Sequence, residues 1–450
     1  MSEIETRLDE LERLGLHRRL RLVSGPQGPR VLLDGKPVLL LCSNNYLGLA
    51  DHPHVREAAA DAAMRWGVGA GASRLVSGTM TIHRRLEERL AAWEGSEGCL
   101  LFGSGYLANI GTIGALAGAG DTVFSDELNH ASIIDGCRCS RAEVVVYRHL
   151  DTEHLAWSLR HHGGGEGRRR LIVTDSVFSM DGDVAPLVEI VELAKEYDAR
   201  TMVDDAHAIG ALGPGGRGAV AQAGLEGEVD VVVGTLGKAL GSYGAYVCAD
   251  EELVRYLVNT ARSLIFSTAP GPPAVAGALA ALELLQERPH RVERLRSAAR
   301  TLRKALAGEG FPVADGEMQI VPLIVGDERA TMSLCEAALQ RGVFAQAIRP
   351  PTVPAGTSRL RLATMASHTT EELKMAARVL GEAARAIGLD PAAMGTRVVA
   401  DRTAVDEDEP EESYLPVAAG ERRANAPFDV EGRAGAPFDV ERETAIARAA

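Results

Sequence analysis

Long apolar runs are missing from this sequence of 450 residues. No segment approaches the roughly eighteen consecutive apolar residues that a membrane-spanning helix needs. The charged residues among the first nine positions also leave no room for the apolar core of a signal peptide. The sequence therefore predicts a cytoplasmic protein that does not act at a membrane.

Positive charge and paired cysteines are scarce as well. The chain has 62 acidic and 48 basic residues, a formal net charge of −14, which argues against a nucleic-acid partner, although a local basic patch could still attract an anionic ligand. The six cysteines show no Cys-x-x-Cys spacing, and Cys137 with Cys139 is too small a ligand set for zinc. We expect reduced cysteines that serve in packing, and no metal site.

One lysine, Lys238, lies among small residues directly after the apolar run 229–233. A partly desolvated ammonium loses its proton more easily and becomes a nucleophile, so Lys238 is a candidate for covalent amine chemistry. Taken alone, the motif is more typical of a lysine in a solvated turn.

Two apolar runs upstream, 171–175 and 201–204, also end in polar residues. The segment between them has apolar residues at helical spacing, and the three runs recur about every thirty residues, as strand–helix–strand units do. This pattern predicts a parallel sheet, and ligands of such sheets bind outside the carboxyl ends of the strands. The polar residues that should converge there are Ser179, Asp204, His207, Thr235 and Lys238.

An acid, a histidine and a reactive lysine in one crevice could together bind a pyridinium aldehyde. The lysine would form a Schiff base with the aldehyde, and the acid would keep the ring nitrogen protonated, so that the ring accepts electrons from a carbanion. Pyridoxal phosphate is such a ligand. Its phosphate needs backbone N–H donors at a glycine-rich turn that begins a helix, and the segment 102–109 offers one at Gly105.

Seven motifs follow one another in order along the chain. They are 43–49, 71–78 with His83, 125–132, 175–181, 204–207, 235–241 and 349–354. Together they resemble the α-oxoamine synthases, fold-type I pyridoxal phosphate enzymes that condense an amino acid with an acyl thioester and release carbon dioxide. The resemblance covers residues from about 15 to about 385. It implies an α/β fold, with a large domain built on a mostly parallel sheet flanked by helices and a smaller C-terminal α+β domain.

The resemblance implies roles on the cofactor side. Lys238 matches the Schiff-base lysine, which also removes the Cα proton of the substrate. Asp204 matches the partner of the pyridine nitrogen, His207 the group bonded to the phenolic oxygen, and His130 the imidazole that stacks on the ring. The remaining cofactor contacts would be Gly105 and Tyr106 at the phosphate, Ser179 and Thr235 through their hydroxyls, and Ser267 and Thr268 reaching the phosphate from the neighbouring subunit of a homodimer with shared active sites.

Fewer residues match the substrate side. Arg361 matches the arginine that pairs with the amino-acid carboxylate, a role that suits a planar guanidinium, and Arg359 is the alternative. Asn44 and Thr352 match positions near the substrate. Arg18 aligns with an arginine that binds the acyl group, although a solvated basic face would explain the arginines between positions 18 and 21 equally well.

The segments 129–138, 145–149 and 347–361 most resemble the branch of the family that condenses L-alanine with a pimeloyl thioester in biotin formation. The thioester could be pimeloyl-CoA or a pimeloyl carrier protein. The main alternative branch takes glycine and acetyl-CoA, and since one methyl group is worth only about 1–3 kcal/mol of discrimination, one or two pocket residues could switch the substrate. Two rival hypotheses are an aminotransferase, against which segments 43–49 and 349–361 argue, and a non-catalytic subunit, against which Lys238 argues.

The motifs divide the chain into four parts. Residues 1–45 should form an amphipathic helix that packs on the dimer and a hairpin that turns at Asp34 and Gly35. Residues 46–285 form the predicted large domain, and residues 286–392, beginning with a basic helix near Arg291, form the predicted small domain.

Residues 393–450 form a predicted acidic, disordered tail. Positions 401–450 contain thirteen acidic residues against six arginines, and the segment 426–431 is repeated at 436–441. The tail has too few apolar residues for a core of its own. The alternative is that the ten-residue repeat is a docking motif for another protein.

Overall fold

A helix and a hairpin begin the fold, in a computed structural model that describes residues 2–163, 165 and 167–395. Helix α1 spans Glu3–Arg13 and buries none of its side chains. The strands β1 (Val23–Ser24), β2 (Arg30–Leu33) and β3 (Lys36–Leu40) are antiparallel. Asp34 and Gly35 connect β2 to β3 with φ angles of 49° and 79°, the left-handed geometry that a two-residue hairpin turn requires. The predicted helix and hairpin are therefore present.

Seven strands form the central sheet. In chain order they are β4 (Gly98–Phe102), β5 (Thr122–Asp126), β6 (Glu143–Tyr147), β7 (Arg170–Asp175), β8 (Arg200–Asp204), β9 (Val231–Thr235) and β10 (Ala245–Ala249). Their spatial order is β4-β10-β9-β8-β7-β5-β6. Strand β10 runs antiparallel to both of its neighbours, and the other neighbouring pairs are parallel. The mostly parallel sheet predicted from the sequence is confirmed.

Helices cover both faces of this sheet. They are α2 (Pro53–Trp66), α3 (Thr81–Glu94), α4 (Gly105–Leu116), α5 (Ala131–Ser140), α6 (Thr152–His161), α7 (Leu187–Glu196), α8 (Gly218–Ala223), α9 (Glu251–Thr260), α10 (Arg262–Ile265) and α11 (Pro272–Glu287). Successive residues of a strand point to opposite faces, and so Leu171 and Val173 belong to one apolar core while Ile172 belongs to the other. Burial on both faces explains why these strands read as continuous apolar runs in the sequence.

The C-terminal part of the described chain contains a further core. Its elements are α12 (His290–Gly308), β11 (Ile320–Gly326), α13 (Glu328–Gln340), β12 (Val343–Phe344), β13 (Gln346–Ile348), β14 (Ser358–Ala363) and α14 (Thr370–Ala386). The strands β11, β14 and β13 form an antiparallel sheet in that order.

The N-terminal hairpin packs into this C-terminal core. Strand β12 pairs in parallel with β3, with Val343 opposite Leu39, and Val31 and Val38 of the hairpin lie in the same apolar cluster as α12, α13 and α14. An isolated two-stranded hairpin is marginally stable in water, so it needs an apolar surface to cover. The sequence analysis assigns the hairpin to a separate N-terminal extension, whereas here the hairpin packs with the C-terminal elements. The domain boundaries near residues 45, 285 and 392 stay a prediction.

The remaining expectations concern membranes, cysteines and the tail. None of the described helices is long and apolar enough to cross a membrane. All six cysteines are free thiols, and Cys139 alone among them is exposed. The acidic tail from residue 396 onward, including its repeat, lies outside the described residues.

Candidate active site

Acidic side chains stand at the carboxyl ends of three parallel strands. Strand β5 ends at Asp126, β7 at Asp175 and β8 at Asp204. Asp175 lies directly opposite Asp204 in the sheet, and both side chains are buried. The turn after β8 carries His207, and Thr235 ends β9 three residues before Lys238. The sheet therefore brings the predicted strand-end residues to one edge, where ligands of such folds bind.

Lys238 lies half-buried on the turn after β9. Burial lowers the pKa of its ammonium, Asp204 and Asp175 partly oppose this, and Arg361 lowers it further. In the described chain Lys238 has no salt bridge within 4 Å. A desolvated amine without a direct counter-ion has a larger neutral, nucleophilic fraction than a lysine in a solvated turn.

Glycine at position 241 allows the Lys238 turn to pack against the 43–49 motif. The φ angle of Gly241 is 61°, and a Cβ atom there would lie 2.4 Å from the backbone nitrogen of Ala50 and 2.6 Å from the carbonyl carbon of Leu49. A side chain at this position would collide with backbone, which cannot move as a side chain can. The two motifs therefore touch through main-chain atoms.

Two donors hold the carboxylate of Asp204. The Nδ2 of Asn109 donates to Oδ2 at 2.7 Å, and the backbone N–H of Ala206 donates to Oδ1 at 3.0 Å. Burial and the neighbouring Asp204 raise the pKa of Asp175 well above its ordinary value. This upward shift favours the protonated form of Asp175, which lessens the repulsion between the two closely placed carboxyl groups.

His130 caps the N-terminus of α5. Its Nδ1 accepts the backbone N–H of Ser132 at 3.2 Å and lies 2.7 Å from the hydroxyl of Ser132, and its own backbone N–H donates to Asp175 at 2.6 Å. Desolvation lowers the pKa of His130, partly opposed by Asp204, and Lys238 lowers it further. A neutral, oriented imidazole at the edge of the crevice suits a stacking role.

A second cluster joins His207 to Arg361 through a buried tyrosine. The hydroxyl of Tyr46 lies 2.7 Å from Nδ1 of His207 and 3.0 Å from Oδ1 of Asn44. Arg361 donates to that hydroxyl at 3.2 Å and to Oδ1 of Asn44 at 3.1 Å. Burial, with Lys238, Arg361 and His130 nearby, lowers the pKa of His207 well below its ordinary value. The ring of His207 is therefore neutral.

The two candidate arginines of β14 have different partners. Arg359 is 1% exposed and forms an ion pair with Asp181. Arg361 is 6% exposed and donates to the carbonyl of Ser179, to Asn44 and to Tyr46, all of them neutral. Within residues 2–395, apart from the two undescribed positions, no carboxylate lies within 4 Å of Arg361. This geometry favours Arg361 over Arg359 as the arginine that receives a carboxylate.

The glycine-rich turn lies at the N-terminus of α4. Ser104 caps the helix by accepting the N–H of Leu107 at 3.2 Å, and a Cβ atom on Gly105 would lie 2.9 Å from the side chain of Thr235. The helix N-terminus therefore approaches the end of β9 closely, and its free N–H groups suit a phosphate. Tyr106 is exposed, and its hydroxyl donates to Asp135 at 2.6 Å.

The donors and acceptors of the crevice fit pyridoxal phosphate. A lysine of lowered pKa, a buried carboxylate, two neutral imidazoles and a helix N-terminus stand at one sheet edge, and each matches one group of the cofactor. Glycine at position 105 lets this helix N-terminus lie close to the end of β9, because a Cβ atom there would lie only 2.9 Å from the side chain of Thr235.

Three other predicted residues lie on exposed segments. Thr268 pairs with Ser73 in an isolated β-bridge, and the backbone N–H of Thr352 donates to the carbonyl of Arg349 at 3.1 Å. Arg18 is exposed. No hydrogen bond or ion pair within the described part of the chain joins these three residues to the cluster around Lys238.

The arginines near Arg18 differ in their partners. Arg19 and Arg21 both contact Glu336, whereas Arg18 has no ion pair among the described residues. Arg349 holds the segment that carries Arg18, by donating to the carbonyls of Gly15 and His17. The arginines are therefore not one uniform solvated face.

The sequence does not identify three residues that the structure adds to the site. Tyr46 lies inside the 43–49 motif, Asn109 lies one helical turn after Gly105, and Asp175 is the last residue of β7. The position of Asp175 at a strand end, and of Asn109 one turn into a helix, could have identified both as candidate site residues. No local pattern indicates that the hydroxyl of Tyr46 contacts His207.

A mostly parallel sheet with this lysine, acid and histidine set at its carboxyl edge defines a fold-type I pyridoxal phosphate enzyme. The family described as aminotransferase class I and II matches residues 36–380, and the chain belongs to it.

Within this family, the chain is similar to 8-amino-7-oxononanoate synthases over most of its length. The synthase of Geobacter metallireducens is 52% identical over 385 residues, which is 85% of this chain and 98% of the relative. That of Citrifermentans bemidjiense is 51% identical, over 86% of this chain and 100% of the relative. A high-resolution structure of SPT with PLP is 34% identical with a TM-score of 0.81, covering 86% of this chain and 98% of that chain. The chain is therefore a pyridoxal phosphate-dependent enzyme.

Proposed function

We propose that this protein condenses L-alanine with a pimeloyl thioester to give 8-amino-7-oxononanoate, carbon dioxide and a free thiol, as an acyltransferase of biotin formation. The observation that carries the proposal is the 52% identity to an 8-amino-7-oxononanoate synthase across nearly its whole length. The intact set of lysine, acid, histidines and arginine supports it. The cytoplasmic location expected from the sequence stays a prediction.

Each side chain of the crevice has a role in this reaction. When bound, pyridoxal phosphate supplies an electron sink for the carbanion that forms at the amino acid. Asp204 would hold a proton on the ring nitrogen through a charge-assisted bond. His207 would donate to the phenolic oxygen, His130 would cover the ring, and the N–H groups at Gly105 would hold the phosphate. The hydroxyls of Ser179 and Thr235 are the remaining proposed contacts.

Lys238 and Arg361 act on the amino acid. The lowered pKa of Lys238 favours a neutral amine, which would hold the cofactor covalently. Once the amine of alanine has displaced it, the freed amine of Lys238 would take the Cα proton. Arg361 orients the amino acid, because a guanidinium can bind a carboxylate through two parallel hydrogen bonds. Asn44, Thr352 and Arg18 are proposed to contact the substrates.

The active form is proposed to be a homodimer in which Thr268 completes the neighbouring subunit's site. Among the described residues, no hydrogen bond joins Thr268 to the Lys238 cluster of its own chain, which is consistent with a role in the neighbouring subunit. Phe266 and Val76 nearby are 70% and 79% exposed, and apolar side chains exposed together indicate a protein interface. The dimer interface is also proposed to cover helix α1, which buries none of its side chains within its own chain.

The test pairs two amino acids with two thioesters. Purified protein loaded with pyridoxal phosphate is incubated with carboxyl-labelled alanine or glycine, each with pimeloyl-CoA or acetyl-CoA, and released labelled carbon dioxide is counted. We expect release with alanine and pimeloyl-CoA. Release only with glycine and acetyl-CoA would assign the other branch of the family instead.

A matched pair of lysine variants controls this test. Lys238→Ala should remove both the long-wavelength absorption of the bound cofactor and the release of carbon dioxide. Lys195→Ala, which removes an exposed lysine paired with Glu228, should change neither. A yellow wild-type protein that releases no carbon dioxide from any pair but exchanges amino groups with a keto acid would show an aminotransferase. A colourless protein that binds no cofactor would show a non-catalytic subunit.

A further inference from the structure

Tyr46 is completely buried and fixed by its own backbone. Its N–H donates to the carbonyl of Asn44 at 2.7 Å, and its carbonyl accepts the N–H of Ala366 at 2.7 Å. The next side chain upstream, Asn45, accepts the N–H of Ala50 at 3.2 Å. The hydroxyl of Tyr46 is therefore placed by a rigid loop, as a group that must orient others requires.

This hydroxyl has four polar neighbours, the side chains of Arg361, His207, Asn44 and Gln319, but only one hydrogen. Arg361 can only donate, so it occupies one lone pair of the hydroxyl oxygen. The hydrogen can go to Nδ1 of His207 at 2.7 Å or to Oδ1 of Asn44 at 3.0 Å. Oδ1 of Asn44 already accepts from Arg361 at 3.1 Å, whereas Nδ1 of His207 has no other partner in the described chain. The shorter distance and the unmet acceptor both favour His207.

The hydrogen on Tyr46 decides which nitrogen of His207 carries a proton. Burial raises the pKa of Tyr46 above its ordinary value, so the hydroxyl keeps its hydrogen. Lys238, Arg361 and His130 face His207 and, with burial, keep the ring neutral, with a single N–H. If Nδ1 accepts from Tyr46, that N–H must be at Nε2.

We propose that Tyr46 is a positioning residue that fixes His207 as the Nε2–H form and joins it to the carboxylate-binding Arg361. The proposal rests on the proposed function for the partner of Nε2, which is the phenolic oxygen of the cofactor. A phenolate oxygen needs a donor, and only the Nε2–H form provides one there. Tyr46 thus links recognition of the amino-acid carboxylate to the hydrogen bonding of the cofactor.

Tyr46→Phe removes the hydroxyl and keeps the ring. Tyr256→Phe is the matched control, because the hydroxyl of Tyr256 donates to the carbonyl of Ala115 at 3.2 Å and contacts no residue of the crevice. Thermal melting establishes that both variants fold. The decisive measurement is the ¹⁵N spectrum of the histidine side chains in cofactor-free protein. The signals of His207 are identified as those that are missing from the spectrum of His207→Gln.

We expect the wild type and Tyr256→Phe to show the Nε2–H form of His207, and Tyr46→Phe to show a mixture of the two neutral forms. In the loaded enzyme, the loss of the donor to the phenolic oxygen should raise the pH midpoint of the cofactor absorption. The KM for alanine should rise about three- to tenfold, the size of one neutral hydrogen bond, and kcat should fall less.

Three results would overturn the proposal. They are an Nδ1–H form of His207 in the wild type, identical His207 signals in the wild type and Tyr46→Phe, and an unchanged pH midpoint of absorption in that variant. If Tyr46→Phe does not fold, the wild-type spectrum still decides which nitrogen carries the hydrogen. If the wild type shows the Nε2–H form but releases no carbon dioxide from alanine, the proposed function fails while the role of Tyr46 in fixing His207 stands.

Discussion

Replacing each arginine of β14 by glutamine should impair a different property of the protein. Arg359 and Arg361 lie two residues apart on one strand, and both are buried. Arg359 pairs with Asp181, whereas Arg361 has only neutral partners in the described chain. Arg359→Gln should therefore lower stability, and Arg361→Gln should lower affinity for the amino acid.

The magnitudes follow from what each change leaves buried. Removing one partner of a buried ion pair costs about 3–5 kcal/mol of folding free energy, because the other charge stays behind. The side chain of Asp181 is 15% exposed, so Arg359→Gln should lie near the lower end of that range. Arg361→Gln loses hydrogen bonds to neutral groups, but it also removes a buried cation without a counter-ion, and these effects oppose each other. Its effect on the melting temperature should be small.

The pH dependence gives Arg359→Gln a second signature. Burial raises the pKa of Asp181, and Arg359 opposes this. Without Arg359 the pKa of Asp181 rises further, so the folded state of the variant holds a proton that the unfolded state has released. Its stability should therefore fall as pH rises above the ordinary pKa of an aspartate, and the deficit relative to wild type should be larger at pH 8 than at pH 5.

The assays are thermal melting at both pH values and steady-state kinetics with alanine varied. Hydrogen bonds to charged groups contribute about 1.5–3 kcal/mol, so the KM for alanine in Arg361→Gln should rise about tenfold or more. Arg359→Gln should keep a nearly unchanged KM at a temperature where it is folded. The reasoning is refuted if Arg361→Gln melts as early as Arg359→Gln while binding alanine normally.

Three further perturbations address the Lys238 turn, a buried acid and the tail. Gly241→Ala places a Cβ atom against the backbone of residues 49 and 50. It should lower the free energy of unfolding by about 1–3 kcal/mol, measured by thermal melting, and lower cofactor occupancy, measured as cofactor absorption per chain. Burial raises the pKa of Glu94 to about 8, so stability should fall as pH rises from about 4.5 to about 8, and Glu94→Gln should flatten this dependence in melting curves at pH 6 and 9. Deletion of residues 396–450 should leave kcat/KM unchanged, and a large loss would contradict the prediction of a dispensable tail.

Features that depend on neighbouring residues were predictable from the sequence. The turn at Asp34 and Gly35 follows from the conformational preferences of those two residues. The strand ends at Asp204 and Thr235 follow from apolar runs that stop at polar residues, and parallel pairing then brings those ends to one edge. The order and type of the elements that carry Lys238 could therefore be predicted without coordinates.

Features that depend on distant residues were not predictable in this way. Tyr46 meets His207 across 161 positions, and Arg359 meets Asp181 across 178. The pairing of β3 with β12 joins segments that are still further apart in the chain. Strand periodicity places Arg359 and Arg361 on the same face and so cannot separate their roles. Only the tertiary contacts show that one arginine already has a carboxylate partner and the other does not.

The charge balance of the crevice is consistent with an anionic ligand. In a chain of net charge −14, Arg361 is buried without a counter-ion within the described residues, and the pKa of Lys238 is lowered. Burying a cation without a partner costs free energy, so folding alone gives no reason for this arrangement. His130 and His207 are held neutral, which avoids adding two more positive charges. A carboxylate at Arg361 would supply the counter-ion that this arginine lacks among the described residues, and a phosphate would accept from the free N–H groups at the N-terminus of α4.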